Sequence, residues 1–225
     1  MRYIYETHMH TSQVSACAAS SAAEQVRAYK KRGYTGIIIT DHFVNGNSTC
    51  PKGIPWKKKM AHFASGYEEA ATEGEKCGLD VFFGLEFNIN GTEFLTYGLD
   101  VGFLLAHPGM DMFSAAEYST LVRKNGGYLA QAHPFRDSWY IEYKLPVAPN
   151  LVDGIEVYNA SMKHDVNAKA AAFAKLHDLP AQAGSDSHHV DFTAPSGIIL
   201  ENKAENIFDI ISAIKERRVE LIVAS

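Results

Sequence analysis

The sequence predicts an α/β barrel in which strands and helices alternate around one core. Three observations point to it. Short β-rich runs alternate with helical stretches almost from end to end, the pattern of βα units around a mostly parallel sheet. A length of 225 residues suits a single barrel domain. Residues able to ligate a metal recur where the predicted strands end, and in parallel barrels the C-terminal strand ends converge on the face that carries active sites.

In order, residues 2–7 read as a strand and 22–32 as a helix; Gly33 then precedes the buried-strand run Thr35-Gly36-Ile37-Ile38-Ile39-Thr40. A helix follows over about 59–77, then strands over 80–87 and 94–99, and a helix over about 114–124. Strands over 128–132, 154–158 and 181–184 come next, with a helix over about 167–176 before the last of them. The tail adds a strand over 197–200, a helix over about 207–217 and a strand over 220–223. The longest irregular piece, residues 43–58, carries Gly46, Pro51, Gly53 and Pro55, with Lys57, Lys58 and Lys59 near its end. A loop straight after a strand suits either a lid over a site or a solvated surface. No linker or repeat divides the chain, so one domain over 1–225 is expected.

Composition narrows the function. A net charge of -5 lacks the basic footprint that nucleic-acid backbones demand, which argues against tight non-specific nucleic-acid binding. Cys17, Cys50 and Cys77 are an odd number at irregular spacing in a chain too large to need a disulfide framework, so a reducing compartment fits. With no apolar signal-peptide stretch at the start and no apolar run long enough to span a bilayer, a cytoplasmic, membrane-free protein is expected. Nothing in the sequence sets an oligomeric state.

The metal-capable residues carry the strongest signal. The first strand ends in His8-Met9-His10, and because side chains alternate along a strand, both imidazoles face the same way. Later strands end in Thr40-Asp41-His42, Gly84-Leu85-Glu86, Ala132-His133-Pro134 and Gly184-Ser185-Asp186-Ser187-His188-His189. A lone His at a strand end is usually a hydrogen-bonded structural residue, and Glu86 alone reads as a satisfied buried acid. Together, though, these groups on one face would be costly to desolvate without a cation. Imidazole and carboxylate ligands without a thiolate cluster suit Zn²⁺, Mn²⁺ or Fe²⁺.

These motifs, in this order, resemble the PHP (polymerase and histidinol phosphatase) superfamily, and the resemblance covers nearly the whole chain. It implies a single-domain distorted (β/α)7 barrel, a site of two or three divalent metal ions, and hydrolysis of phosphoesters. Members include histidinol-phosphate phosphatases, nucleotide and oligonucleotide phosphoesterases, and domains attached to DNA polymerases. Carried over by residue, His8, His10, Glu86 and Asp186 would hold the first ion, Glu86 and His133 a neighbouring one, and His42 and His188 the remaining one. Two departures stand out. Where members often place an Asp or His after the first motif, this chain has Cys17, either a thiolate ligand or a small cysteine beside the site. Where many trinuclear members carry a His shortly before a Gly, it reads Leu95-Thr96-Tyr97-Gly98. The nearest His, His107, reads as part of a surface turn, so a dinuclear site is a real alternative.

For chemistry, the resemblance implies a metal-activated water attacking a small phosphorylated substrate. Arg136, three residues past His133, is the candidate for binding phosphate; the alternative is an ion pair with Asp137 or Glu142. Asp41 is a candidate to orient an imidazole. His188 matches the ligand spacing, leaving His189 to face the opening and touch substrate. Asp41 and His189 are also candidate general acids. Glu156 and Asn159, at another strand end, line the pocket or stabilise a loop. An amidohydrolase-type hydrolase shares the His-x-His strand and late Asp but usually has a longer barrel and a metal-bridging Lys. A non-catalytic metal-binding module would have lost ligands.

Overall fold

The computed structural model describes residues 2–139, 141–142, 144–191 and 194–223. Its strands are β1 (Tyr3–Glu6), β2 (Gly36–Ile39), β3 (Asp80–Ile89), β4 (Thr92–Tyr97), β5 (Tyr128–Gln131), β6 (Gly154–Asn159), β7 (Ala181–Gly184), β8 (Gly197–Leu200) and β9 (Glu220–Ile222). They form one sheet in the order β7-β6-β5-β4-β3-β2-β1-β8-β9. The helices are α1 (Ala22–Lys31), α2 (Trp56–Cys77), α3 (Val101–Ala106), α4 (Ala115–Lys124), α5 (His164–Leu176) and α6 (Ile207–Lys215). Several start at local signals: Ser21 with Glu24, Ser114 with Glu117 and Asn206 with Asp209 each form a capping box that satisfies otherwise unpaired backbone N–H groups. The long α2 stops at Gly78, whose φ of 71° lets the chain leave the helix in the left-handed conformation.

The sheet closes on itself at β1. Tyr3 to Tyr5 pair antiparallel with β8, while the residues that follow turn to the end of β7. There the Asp186 N–H donates to the His8 carbonyl at 2.8 Å, the His10 N–H to the Ser187 carbonyl at 2.9 Å, and the Thr7 hydroxyl to the Ala183 carbonyl at 2.7 Å. Glu6 completes this seam. Its Oε1 accepts from the backbone N–H groups of Thr7, His8 and Ser185, each at 2.9 Å, and its Oε2 from the Tyr29 hydroxyl at 3.1 Å. Burial pushes the Glu6 carboxyl up to about 7 even though these donors pull it down.

The α/β class and barrel-like closure follow the sequence reading, but the sheet is less parallel than expected. β3 runs on to Ile89, and Asn90 and Gly91, at φ 52° and 87°, turn the chain directly into β4. Two central residues at positive φ make the type I′ hairpin turn that Asn-Gly favours. β4 is therefore antiparallel to both β3 and β5, and β8 is antiparallel to β1 and β9. α2 begins at Trp56 and α5 at His164, three residues earlier than expected in each case, and the short α3 was not expected. Of the lysines at the start of α2, Lys59 pairs with Asp111 at 3.2 Å. His107 caps the end of α3, with its ring against the Phe103 carbonyl at 2.8 Å.

Packing follows the strand alternation. Ile38, Leu95, Tyr97 and Tyr128 pack with Ile198, Ile210 and Ile214 in one cluster, while Leu85, Phe87, Phe94 and Leu129 pack with Phe63, Tyr118 and Val122 of the helices in another. Met9, between the two histidines, is fully buried with Val26 of α1 and Ile37 and Ile39 of β2. No helix among the described residues is long and apolar enough to cross a membrane. Phe87 follows Glu86 on β3 and stacks on Tyr118, with ring centroids 3.7 Å apart. Truncating it leaves a cavity away from the metal-capable face. Phe87→Ala is expected to lower stability by about 3–5 kcal/mol, read from urea unfolding of the metal-free protein.

Candidate metal centre

The alternation that sends Met9 into the core sends His8 and His10 to the opposite face. Their Nε2 atoms lie 3.2 Å apart. Glu86, near the middle of β3, meets them from one side: its Oε1 is 3.3 Å from His8 Nε2 and its Oε2 3.5 Å from His10 Nε2. Asp186, just past β7, meets them from the other, with Oδ1 3.5 Å from His8 Nε2 and 3.2 Å from His10 Nε2. His133 follows β5 and places Nε2 3.2 Å from Glu86 Oε1. His42 follows β2 and places Nδ1 2.7 Å from Glu86 Oε2. His188 stacks on the His10 ring at a centroid distance of 4.3 Å.

Four groups of three have ligating atoms within 4.8 Å of one another: His8, His10 and Glu86; His8, His133 and Asp186; His10, His42 and His188; and His42, Glu86 and Glu93. The backbone is strained at two of these residues, with φ of 26° at His133 and 56° at Asp186. Non-glycine residues adopt such angles at a cost and cluster at functional sites.

Buried partners fix the imidazoles. Glu156 of β6 approaches His8 Nδ1 at 2.8 Å, which leaves Nε2 toward the cluster, and its other oxygen accepts from the His133 N–H at 2.8 Å and from Asn159 Nδ2 at 2.9 Å. His10 Nδ1 lies 3.0 Å from the Ser15 hydroxyl, which donates to Asp41 Oδ1 at 2.7 Å. Asp41 also accepts from the Thr11 N–H and hydroxyl, each at 2.6 Å. Gly184 makes room for this packing: a Cβ there would sit 2.5 Å from His8 Cβ and 2.8 Å from Glu156 Oε1.

The electrostatics suit a cation. Although burial lowers it, the carboxylates of Glu156, Asp186 and Glu86 hold the His8 pKa well above the usual imidazole range. Despite burial, His42 and His8 hold Glu86, and His8 and His10 hold Asp186, well below the usual carboxylate range. His10 is driven down by burial and by the neighbouring imidazoles of His42 and His188. A divalent ion would replace the positive charge that these carboxylates otherwise draw from His8.

A cleft of about 520 Å³ opens over the cluster, and its lining includes Cys17, His42, Glu93, Asp186 and His188 together with Asn45, Asn88, Arg136 and Trp139. The profile of the PHP domain matches residues 6–215. The chain belongs to the PHP domain family. Comparison with curated protein sequences gives no match. Among solved structures, the PHP fold is shared with a two-domain protein from Bacteroides vulgatus containing a predicted PHP-like metal-dependent phosphoesterase, at TM-score 0.71 and 16% identity over 98% of this chain and 64% of that one. This chain thus spans less than two thirds of that protein. PsfC from Pseudomonas syringae aligns at TM-score 0.67 and 18% identity, covering 100% of this chain and 92% of that one. The lesion-specific endonuclease EndoQ from Pyrococcus furiosus aligns at TM-score 0.66 and 14% identity, covering 99% of this chain and 58% of that one.

Within this PHP domain, the structure brings together His8, His10, His42, Glu86, His133, Asp186 and His188. Cys17 lies beside them, its thiol in contact with His188 and His42; burial raises its pKa, but these contacts bring it down to about 6. Arg136 lines the cleft and pairs with Glu93 at 3.5 Å, while Asp137 pairs with Lys144. Asp41 is buried at 1% exposure behind the cluster, where it acts on His10 through Ser15. His189 is exposed and lies outside the cleft lining, so the expectation that it touches substrate gains no support from its position. Sequence reasoning missed Glu93, and it missed Glu6 and Ser15 as supports. The signal for Glu93 was Asn90-Gly91: a hairpin there brings a later carboxylate back beside Glu86.

The donor set fits divalent cations, and among the described residues Glu93 Oε2, buried 3.5 Å from His133 Nε2, lacks a hydrogen bond. Glu156 holds the His8 ring, a role that typically tunes metal affinity by about 10- to 100-fold. Glu156→Gln is accordingly expected to weaken metal binding by about that factor in a competition titration with a chelating dye, with the far-ultraviolet circular dichroism unchanged.

Proposed function

We propose that the protein is a metal-dependent phosphoesterase acting on a small phosphorylated molecule. The observation that carries this reading is a buried cluster of imidazoles and carboxylates opening into a cleft that Arg136 also lines. Two or three ions of Zn²⁺, Mn²⁺ or Fe²⁺ suit the donors; when bound, such ions polarise a phosphoryl oxygen and lower the pKa of a water. His8, His10, Glu86 and Asp186 would hold one ion, His133 with Glu86 a second, and His42 with His188 a third, with Cys17 beside it.

The chain's own groups do the remaining work. Arg136 offers charge-assisted hydrogen bonds to phosphate oxygens, and Glu93 holds it at the cleft. Asn45 and Asn88 are joined by an Asn45 side-chain bond to the Asn88 carbonyl at 2.6 Å and add polar groups to the same cleft. Glu156 and the Asp41–Ser15 pair keep the His8 and His10 rings from turning, so little reorganisation is needed during reaction. Three free thiols fit the reducing, cytoplasmic setting expected from the sequence.

The test is metal analysis of the purified protein, with hydrolysis of a generic phosphomonoester and a generic phosphodiester before and after chelation. The expected result is two or more ions per chain and turnover that chelation abolishes and metal restores. Protein that stays inactive on both esters after Mn²⁺ or Zn²⁺ is added would sink the proposal. Arg136→Met is expected to cost on the order of 10- to 100-fold in kcat/KM on whichever ester is cleaved, in line with the loss of a hydrogen bond to a charged group.

A further inference from the structure

The motif reading leaves the strand after Glu86 without a ligand, yet the structure places a carboxylate there. In the β3–β4 hairpin Asn88 pairs with Glu93 and Glu86 with Leu95. Directly paired residues share a face, and so do residues two apart on one strand, so Glu93 projects on the face that carries Glu86. Its side chain is 4% exposed. One oxygen accepts from Asn88 Nδ2 at 3.2 Å; the other, Oε2, makes no hydrogen bond among the described residues. That oxygen lies 3.5 Å from His133 Nε2 and 3.5 Å from Arg136 Nη1.

Glu93 Oε2 does not stand alone. Glu86 Oε2 and His42 Nδ1 are buried beside it, 2.7 Å from each other, and all three residues form one of the groups whose ligating atoms lie within 4.8 Å. Two buried carboxylates beside two imidazoles, with one carboxylate oxygen lacking any hydrogen bond, are what a cation would satisfy and what an uncharged core would exclude. A role for Glu93 as counter-ion to Arg136 explains neither its place beside Glu86, a like charge, nor the approach of the same oxygen to His133.

We propose that Glu93 is a metal ligand, supplying from β4 a second carboxylate to the ion that Glu86 and His133 would hold. The proposal rests on the metal-dependent reading above and extends it to this chain's own donor set. It makes that position rich in oxygen, which favours a harder ion such as Mn²⁺ over Zn²⁺. It also ties the cleft arginine to the metal, because the Glu93 carboxylate that meets the ion also meets Arg136.

The test counts ions rather than turnover. Full-length protein is loaded with Mn²⁺, dialysed and measured by plasma mass spectrometry, for the unmodified chain, Glu93→Gln, Glu93→His and Arg136→Met. Circular dichroism and the unfolding midpoint of the metal-free proteins check the fold. The expected result is one ion fewer per chain in Glu93→Gln, or a weakest site at least about tenfold weaker, the scale on which even indirect partners tune affinity. Glu93→His is expected to restore the count with a shift of preference toward Zn²⁺, and Arg136→Met to leave it unchanged. Should Glu93→Gln not fold, a Glu93→His protein with no such shift overturns the assignment. A folded Glu93→Gln protein with the original count and affinity overturns it, as does an unmodified protein that binds no ion. A protein that loses one ion on Glu93→Gln yet cleaves no phosphoester upholds Glu93 and sinks the phosphoesterase reading, so the two fail separately.

Discussion

Carboxylates and imidazoles crowd together in a space almost closed to water, and that crowding governs the rest of the molecule. Glu86, Glu156 and Asp186 are at most 5% exposed, and each lies within 3.5 Å of a His8 ring nitrogen. An isolated carboxylate in such surroundings would give up its charge rather than stay buried. Here Glu86 and Asp186 stay below the usual range because imidazoles face them, while Glu93, further from those rings, is raised by burial and by the nearby Glu86. Charge is thus balanced unevenly across the cluster, and the surplus negative charge lies on the Glu86–Glu93 side.

Such a cluster needs rigid support, and the support comes from carboxylates that do not face the centre. Glu6, Asp41 and Glu156 are each at most 1% exposed and each accepts a backbone N–H from a residue at a strand end. Glu6 joins β1 to the end of β7, where the ordinary strand ladder gives way. Asp41 reaches His10 through Ser15, whose hydroxyl also accepts the His42 N–H at 3.0 Å. One small side chain therefore sets two ligand candidates from different strands. Burial raises Asp41 to about 6 while the Thr11 and Ser15 bonds pull it down, the balance of a group that works by accepting hydrogen bonds. Gly66 of α2 packs against Thr11 and Asp41 where a Cβ would not fit, which connects helix placement to ligand placement.

Much of this was legible in the sequence, and the pattern of what was not has a physical cause. Period two placed His8 and His10 on one face because that rule needs no tertiary context. His42, His133 and Asp186 were legible because strand ends in a barrel converge wherever the intervening chain goes; Glu86, read as a strand end, lies within β3, which runs past it to Ile89. The exceptions depend on pairing. Glu93 was passed over because β4 was read as one more strand beginning at Phe94, whereas Asn90-Gly91 starts it earlier and reverses it. The Arg136 partner was sought among its sequence neighbours Asp137 and Glu142, and the ion pair formed instead with that same Glu93. Glu156 was open between pocket and loop because an acid at a strand end looks the same whether it lines a pocket or holds a candidate metal-binding histidine. Glu6 gave no signal: two residues ahead of a His-x-His pair it reads as an ordinary strand residue, and its role appears only when β7 lies beside it.

The distribution of donor types has its own consequence. Toward α1 the cluster offers the rings of His10, His42 and His188 with the Cys17 thiol against the last two; toward the β3–β4 hairpin it offers Glu86 and Glu93 with His133 near both. Nitrogen and sulfur suit softer ions and oxygen harder ones, so on the proposed metal-binding reading the two ends of one cluster would favour different ions. Glu86 touches both ends, since its Oε2 faces His10 and His42 while its Oε1 faces His8 and His133. A change of charge at one end is felt at the other through a single carboxylate. The cleft lies above that carboxylate, and its arginine is tied to the oxygen-rich end. On the proposed phosphoesterase reading, a phosphate drawn to Arg136 would therefore arrive first over the Glu86–Glu93 side, where the negative charge most needs a cation.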